Sequence, residues 1–84
     1  MNYQAKITDK LMKKCNPSIL RVIDESENHR GHNGFIEGQQ THFQIQIKST
    51  AFDKMSRLGR EREIHRMLGD KIIKSIHAIS IKFL

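Results

Sequence analysis

The sequence has one cysteine, one proline, no tryptophan and no long apolar run. A single cysteine, Cys15, excludes an internal disulfide and fits a reducing compartment. No stretch approaches the about 20 apolar residues that cross a membrane, and the N-terminus lacks the apolar core of a signal peptide. We therefore expect a cytoplasmic protein that does not enter a membrane.

Signals for catalysis are also missing from the sequence. No serine or cysteine has a plausible neighbouring base, and no phosphate-binding glycine motif is present. We therefore expect a protein that is not an enzyme.

The composition that remains is that of one small folded domain. The chain has 84 residues, of which 37% are hydrophobic and 29% are charged, and such values are typical of globular proteins. We expect a single domain over residues 1–84. The formal net charge of +6 is compatible with a nucleic-acid partner and equally with an acidic protein partner.

Helical periodicity predicts a first helix from about Tyr3 to Cys15. Ile7, Leu11 and Cys15 are spaced by four residues and share a face, which Met12 would widen. Asn16-Pro17 should end this helix, because proline disfavours the α conformation in the residue before it.

Three stretches have the composition or alternation of strands: 19–25, 41–48 and 76–83. Apolar residues alternate with polar ones in the second and third stretches, which is the pattern of a sheet with one buried face. Residues 49–53 are predicted to be a short link.

A second helical region is predicted from about Ser56 to Ile73. It carries one apolar stripe, formed by Ile64, Met67, Leu68 and Ile72. We expect Gly59 to separate a short helix from a longer one. Gly69 would then lie inside the longer helix at a close packing contact, because glycine is otherwise costly there.

These elements predict an α+β domain of order α-β-β-α-α-β. The crossover through the helical region is right-handed, so the second and third strands should run parallel, while the first two strands form an antiparallel hairpin. The expected architecture is a three-stranded mixed sheet with helices packed on one face.

Candidate metal ligands lie in a glycine-rich segment between the first two strands. His29 and His32 form an H-x-x-H pair that can present two imidazoles to one metal, but a closed zinc site needs four ligands. A solvated polar loop is the alternative. His77 begins the third strand, where it could instead serve only to cap the preceding helix.

Four arginines of the helical region are candidates for nucleic-acid binding: Arg57, Arg60, Arg62 and Arg66. Phosphate contacts by such residues would give salt-dependent binding with little sequence preference. The alternative is a solvated helix face whose charge is partly balanced by Glu61 and Glu63.

Several blocks together closely resemble the BolA family. They are Val22-Ile23-Asp24-Glu25-Ser26, a histidine loop, Thr41-His42-Phe43-Gln44-Ile45, Arg60-Glu61-Arg62-Glu63-Ile64 followed by Leu68, and Ile76-His77-Ala78-Ile79-Ser80-Ile81. Their order and spacing match over nearly the whole chain. The resemblance implies a fold similar to a type II KH domain, in agreement with the element order above.

The resemblance also implies a role and a ligand set. BolA-like proteins pair with monothiol glutaredoxins and share a [2Fe-2S] cluster, or take part in iron–sulfur cluster delivery. The glutaredoxin supplies its cysteine and a glutathione thiolate. The family histidine that begins the last strand matches His77, and the loop ligand matches His29, with His32 as a competitor. We expect the free protein to be a monomer.

One departure from the family pattern lies in the helical region. The family usually has Arg-His-Arg where this sequence has Arg60-Glu61-Arg62. Some family members are DNA-binding transcriptional regulators that act through this region. A regulator of that kind is therefore the alternative function, although Glu61 and Glu63 reduce the positive charge there.

Overall fold

A computed structural model describes residues 2–26, 42–76 and 78–84. In chain order the elements are α1 (Tyr3–Cys15), β1 (Ile19–Asp24), β2 (His42–Lys48), a 3-10 turn (Thr50–Phe52), α2 (Arg57–Leu68), α3 (Asp70–Ser75) and β3 (Ala78–Phe83). The predicted order of helices and strands is confirmed, and each predicted strand is found within two residues of its expected ends.

The three strands form one mixed sheet in the order β1-β2-β3. β1 is antiparallel to β2, with Val22 opposite Ile45, and β2 is parallel to β3, with Ile45 opposite Ile81. Because side chains alternate between the faces of a sheet, these residues share one face, and that face packs against the helices. The predicted α+β architecture with helices on one face is therefore confirmed.

Helix α1 covers the sheet with the predicted stripe. Ile7 and Leu11 are completely buried and Cys15 is nearly so. Met12 is 47% exposed, so the predicted widening of the stripe to Met12 is wrong. One residue along a helix is about 100° further round the axis, which turns Met12 away from the sheet. Asn16 ends the helix in the left-handed conformation, at φ 42°.

The break in the second helical region lies at Gly69, and the prediction that it lies at Gly59 is wrong. Gly59 belongs to the first turn of α2, where its N–H donates to the hydroxyl of Ser56, 3.0 Å away. Gly69 separates α2 from α3 at φ 85° and ψ 159°, a conformation open almost only to glycine. A Cβ at Gly69 would meet its nearest neighbour, Lys10 Nζ, only at 3.8 Å, so the predicted close packing contact is also wrong.

The contact between Lys10 and the end of α2 ties the first helix to this break. Lys10 Nζ donates to the carbonyl of Leu68 over 3.2 Å. The last carbonyls of a helix have no partner within the helix. A side chain of α1 therefore satisfies one of the carbonyls that the turn at Gly69 leaves free.

Residues 49–53, predicted to be a link, contain part of the core. Thr50–Phe52 form one 3-10 turn, and Phe52 is buried. Its ring meets that of Phe83 edge to face, with centroids 5.3 Å apart and planes at 69°. None of the helices within the described ranges is long and apolar enough to cross a bilayer.

Candidate functional site

The described residues that flank the candidate ligands in the sequence lie at one end of the sheet. β1 ends at Asp24 opposite Phe43, so the segment that follows β1 leaves at this end. β2 begins beside it at His42, and β3 begins at Ala78, the parallel partner of His42. Neighbouring strands lie about 4.8 Å apart. The described residues that flank segment 27–41 therefore lie close to the start of β3.

A small hydrogen-bond network closes this end of the sheet. Glu25 N donates to the carbonyl of His42 over 2.8 Å, and His42 N donates to Ser26 Oγ over 3.2 Å. Ser26 in turn donates from N and Oγ to Asp24 Oδ1, over 3.0 and 2.5 Å. Ser26 and His42 are both 5% exposed. The positions that bound segment 27–41 are thus buried and firmly bonded.

The predicted ligands adjoin these fixed positions in the sequence. His29 and His32 fall between Ser26 and His42, and His77 immediately precedes Ala78. All three histidines lie outside the described residues, so their ligation stays a prediction. Within residues 2–26, 42–76 and 78–84, no group of three or more His, Cys, Asp or Glu side chains could hold a metal ion.

The chemistry of the candidate donors fits an iron–sulfur cluster. Imidazole nitrogen suits iron, and histidine replaces cysteine on one iron of some [2Fe-2S] centres. One loop histidine and His77 would supply two ligands, so a four-ligand cluster needs two more from elsewhere. Ala78 has the smallest chiral side chain and is exposed, so it leaves room beside the start of β3.

The four candidate nucleic-acid-binding arginines do not share one face of α2. Arg62 and Arg66 are exposed and four residues apart, so they lie on one side of the helix. Arg57 is exposed at the N-terminus of the helix, and Arg60 is half-buried toward β3. The helix therefore presents its positive charge in two directions.

Acidic residues of α2 neutralise part of this charge. Arg66 pairs with Glu63 through two hydrogen bonds, one of them 3.3 Å from Nε to Oε2. The hydrogen bond from Arg66 lowers the pKa of Glu63 below its usual range. Arg57 lies 3.9 Å from Glu61. Among the four arginines, Arg62 alone makes no side-chain hydrogen bond or ion pair with another described residue, and it is exposed.

Arg60 has a different environment from the other three arginines. Its Nε donates to the carbonyl of Met55 over 3.1 Å, and its guanidinium carbon lies 5.8 Å from the centroid of the Phe83 ring. That distance is within the range of a cation–π contact. No local pattern in the sequence connects Arg60 with Met55 or with β3, because only the tertiary fold brings Phe83 to this helix.

Cys15 is not a candidate nucleophile or ligand. It lies on the core face of α1, as predicted, and its Sγ approaches the carbonyl of Leu11 at 3.2 Å. Burial raises the pKa of the Cys15 thiol, and a hydrogen bond with Ser49 offsets part of that rise. A thiol with a raised pKa is a weak nucleophile and metal ligand near neutral pH.

Comparisons with known proteins agree on one family. The family model described as BolA-like protein matches residues 11–84. A Sinorhizobium protein named for its position in the cobS 5' region is 35% identical over 83 residues, which are 98% of this chain and 89% of that protein. A Haemophilus influenzae protein named DNA-binding transcriptional regulator BolA is 30% identical over 81 residues, 96% of this chain and 75% of that protein.

A solved structure gives the same result for the fold. The BolA domain of SufE1 from Arabidopsis thaliana superposes with a TM-score of 0.84 at 35% identity, covering 99% of this chain and 91% of that one. The chain spans about half the length of several plant and mammalian relatives, between 51% and 56%. The match is thus to a domain that also occurs within longer proteins.

Proposed function

The chain belongs to the BolA-like protein family, and from that premise we propose that it is a non-enzymatic accessory protein in iron–sulfur cluster assembly or trafficking. In this proposal it binds a monothiol glutaredoxin in the cytoplasm, and the two proteins hold a [2Fe-2S] cluster between them. The cluster is the cargo of the pair, and this chain supplies ligands and a docking surface.

One geometric observation carries the proposal: His42 and Ala78 are direct neighbours in the sheet. The segment that contains His29 and His32 is bounded by His42, and His77 precedes Ala78 in the chain. Two histidine-bearing parts of the sequence, separated by more than 40 residues, therefore start from adjacent, well-bonded positions. Such an arrangement suits two imidazoles that ligate one cluster.

The roles of the residues follow from the number of ligands that a [2Fe-2S] cluster needs. His77 and one of the two loop histidines donate imidazole nitrogens, and the glutaredoxin donates a cysteine thiolate and the thiolate of bound glutathione. Replacing thiolate by neutral imidazole lowers the negative charge around the iron and raises the reduction potential. The mixed pair should therefore differ in spectrum and potential from a cluster held by thiolates alone.

The test is a titration of a monothiol glutaredoxin with this protein under cluster-reconstituting conditions. We expect a heterodimer whose visible absorption and circular dichroism differ from those of the cluster-bound glutaredoxin homodimer. His77→Ala should abolish that difference. Thr50→Ala is the control, since Thr50 is exposed in the 3-10 turn that follows β2, at the end of the sheet opposite the start of β3. An unchanged heterodimer spectrum with His77→Ala would refute the ligand assignment.

The same titration distinguishes the two loop histidines. We expect one of His29→Ala and His32→Ala to alter the heterodimer spectrum, with the other leaving it as in the parent protein. If neither substitution changes the spectrum, the loop supplies no ligand and the two-histidine proposal fails.

A DNA-binding regulator is the second candidate function. It is favoured by the name of the Haemophilus influenzae relative and by the exposure of Arg62 and Arg66 on one side of α2. Duplex DNA should then bind with a steep salt dependence, and loss of one phosphate contact in Arg62→Gln should reduce the slope of log K against log salt by about 0.9. Binding that shows no preference over random competitor DNA would count against a regulator.

A further inference from the structure

β3 is an edge strand with unused backbone groups. It has β2 on one side, and Leu84 N donates to the carbonyl of Ile47 over 2.8 Å. Alternate residues of a parallel strand bond to the same neighbour, so Lys82 and Ser80 also bond toward β2. The N–H and C=O groups of Ile79, Ile81 and Phe83 therefore point away from the sheet.

No described residue outside β3 hydrogen-bonds to those outward groups. At the opposite edge of the sheet, an outward carbonyl does have a partner: Gln4 Nε2 donates to the carbonyl of Val22 in β1 over 2.7 Å. A free edge is a template for pairing with another extended chain. The sheet thus offers one edge to a partner while α1 bonds to the other.

A groove of about 410 Å³ runs along this edge, lined by Met55, Arg57, Arg60, Ile81, Lys82 and Phe83. Arg57 and Arg60 approach from the helix side of the sheet. Lys82 alternates with Ile81 and Phe83, so it projects from the opposite face. Cations therefore stand on both sides of the place that an added strand would occupy.

The cation nearest the edge is already oriented. Arg60 uses Nε to bond to Met55 and lies over the Phe83 ring, which leaves the N–H groups of its terminal nitrogens for an anion. Among the described residues, no carboxylate pairs with Arg60 or Lys82 within 4.0 Å. Arg60 and Lys82 therefore give the groove positive charge that no described carboxylate pairs with, whereas Arg57 is partly balanced by Glu61.

We propose that this edge, from Ile79 to Phe83, is a docking site for an extended acidic segment of another protein, which pairs with β3 as a fourth strand. Main-chain hydrogen bonds to the outward groups would supply affinity, as in other cases of strand addition. Successive side chains of a strand point to opposite faces, so of two adjacent carboxylates in the segment one would meet Arg60 and the other Lys82. A second copy of this chain fits poorly, because its own β3 edge carries the same cations and the chain has a net charge of +6.

The proposal does not rest on the shared cluster. Arg60, Ile81 and Phe83 lie along the later part of β3, whereas the cluster is proposed at the end where β3 begins. The docking site can therefore be tested without metal and without a glutaredoxin. Its failure would leave the cluster proposal untouched, and loss of the cluster proposal would leave this one standing.

The probe is a blocked eight-residue peptide in which pairs of glutamates alternate with pairs of valines, so that carboxylates lie on both faces of the added strand. It is titrated into isotope-labelled protein. We expect the largest amide shifts at Ile79, Ile81 and Phe83, with slower hydrogen exchange at these amides when peptide is bound. The matched peptides are one with lysine in place of glutamate and one with N-methyl groups on alternate amides. Both should bind at least tenfold more weakly.

Two variants test the charge argument, with one matched control. Arg60→Gln and Lys82→Gln should each lower the affinity for the glutamate peptide about three- to tenfold, as expected for loss of a charge-assisted contact. Arg21→Gln removes the same charge from exposed β1 and should leave the affinity unchanged. Thermal unfolding of each variant shows whether the fold is intact. Lys82 is exposed, so its variant serves even if Arg60→Gln unfolds.

Three results would overturn the proposal. Equal affinity for the glutamate and lysine peptides would show that charge does not contribute to binding. Equal affinity for the N-methylated peptide would show that the peptide does not pair with β3 as a strand. A dimer in sedimentation that protects the amides of Ile81 and Phe83 without peptide would assign the edge to a second copy of this chain.

Discussion

Replacing Gly69 by alanine should destabilise the protein by about 1–2 kcal/mol. A residue other than glycine at φ 85° and ψ 159° pays about 1–3 kcal/mol of backbone strain. Alanine also restricts the unfolded chain, which returns about 0.4–1 kcal/mol. Contacts add nothing further, because the nearest atom to a Cβ, Lys10 Nζ, lies at an ordinary 3.8 Å.

Gly59→Ala is the matched control, and it should have the opposite sign. Gly59 is helical, and alanine gains up to about 1 kcal/mol over glycine in a helix interior. A Cβ at Gly59 would come within 3.1 Å of Ser56 Oγ, which accepts from Gly59 N as the N-cap, so this contact removes part of the gain. We therefore expect a net stabilisation of about 0.5 kcal/mol.

Urea unfolding followed by far-ultraviolet circular dichroism measures both effects. A loss of 1–2 kcal/mol corresponds to a fall in Tm of about 4–16 °C for a domain of this size. The reasoning is refuted if Gly69→Ala costs less than about 0.5 kcal/mol, since the strain at this φ and ψ would then be absent. It is also refuted if both variants lose stability equally, because the cost would then not depend on backbone conformation.

Two further predictions concern buried side chains. Phe52→Ala should cost about 3–5 kcal/mol in urea unfolding, because Phe52 is buried and packs on Phe83; a cost below about 1 kcal/mol would mean that the 3-10 turn is not part of the core. Cys15 should react with iodoacetamide at least tenfold more slowly in the folded protein than in urea at pH 8. Its pKa is raised above the ordinary 9.0, so the folded state keeps the thiol proton more tightly. The contribution of Cys15 to the free energy of unfolding is present below pH 9 and declines as the pH rises further. A free energy of unfolding that rises above pH 9 would contradict this.

Much of the fold could be predicted because the apolar periodicity and the tertiary packing agree. The stripe Ile7, Leu11 and Cys15 and the alternation in β2 each have one way to be buried, and the structure uses it. The place of the helix break could not be predicted. Gly59 and Gly69 are equally free to bend in isolation, and the periodicity does not distinguish them. The contact of Lys10 with Leu68 beside Gly69 joins residues 58 apart in the sequence, so no local pattern shows it.

The site could be predicted only in part. Spacing alone left His29, His32 and His77 as unconnected candidates, and the resemblance to the BolA family joined them. Their ligation stays a prediction, since the described residues reach only to their neighbours in the chain. The groove at the edge of β3 could not be predicted from the sequence. Arg60 lies in α2 and Phe83 in β3, and only the tertiary fold brings these two elements into contact.

Hydrogen bonds among Glu25, Ser26 and His42 make the stability of the sheet largely independent of the composition of residues 27–41. Those bonds fix the register of β1 and β2 at the ends of the two strands. The strands therefore do not need residues 27–41 in order to align. Even for a fully flexible connection, doubling its length costs only about 0.6 kcal/mol of closure entropy. The segment that carries His29 and His32 can therefore be lengthened, shortened or exchanged for one with other donors at little cost to the fold. Under the proposed function, such a scaffold could acquire other cluster ligands by substitutions in this one connection.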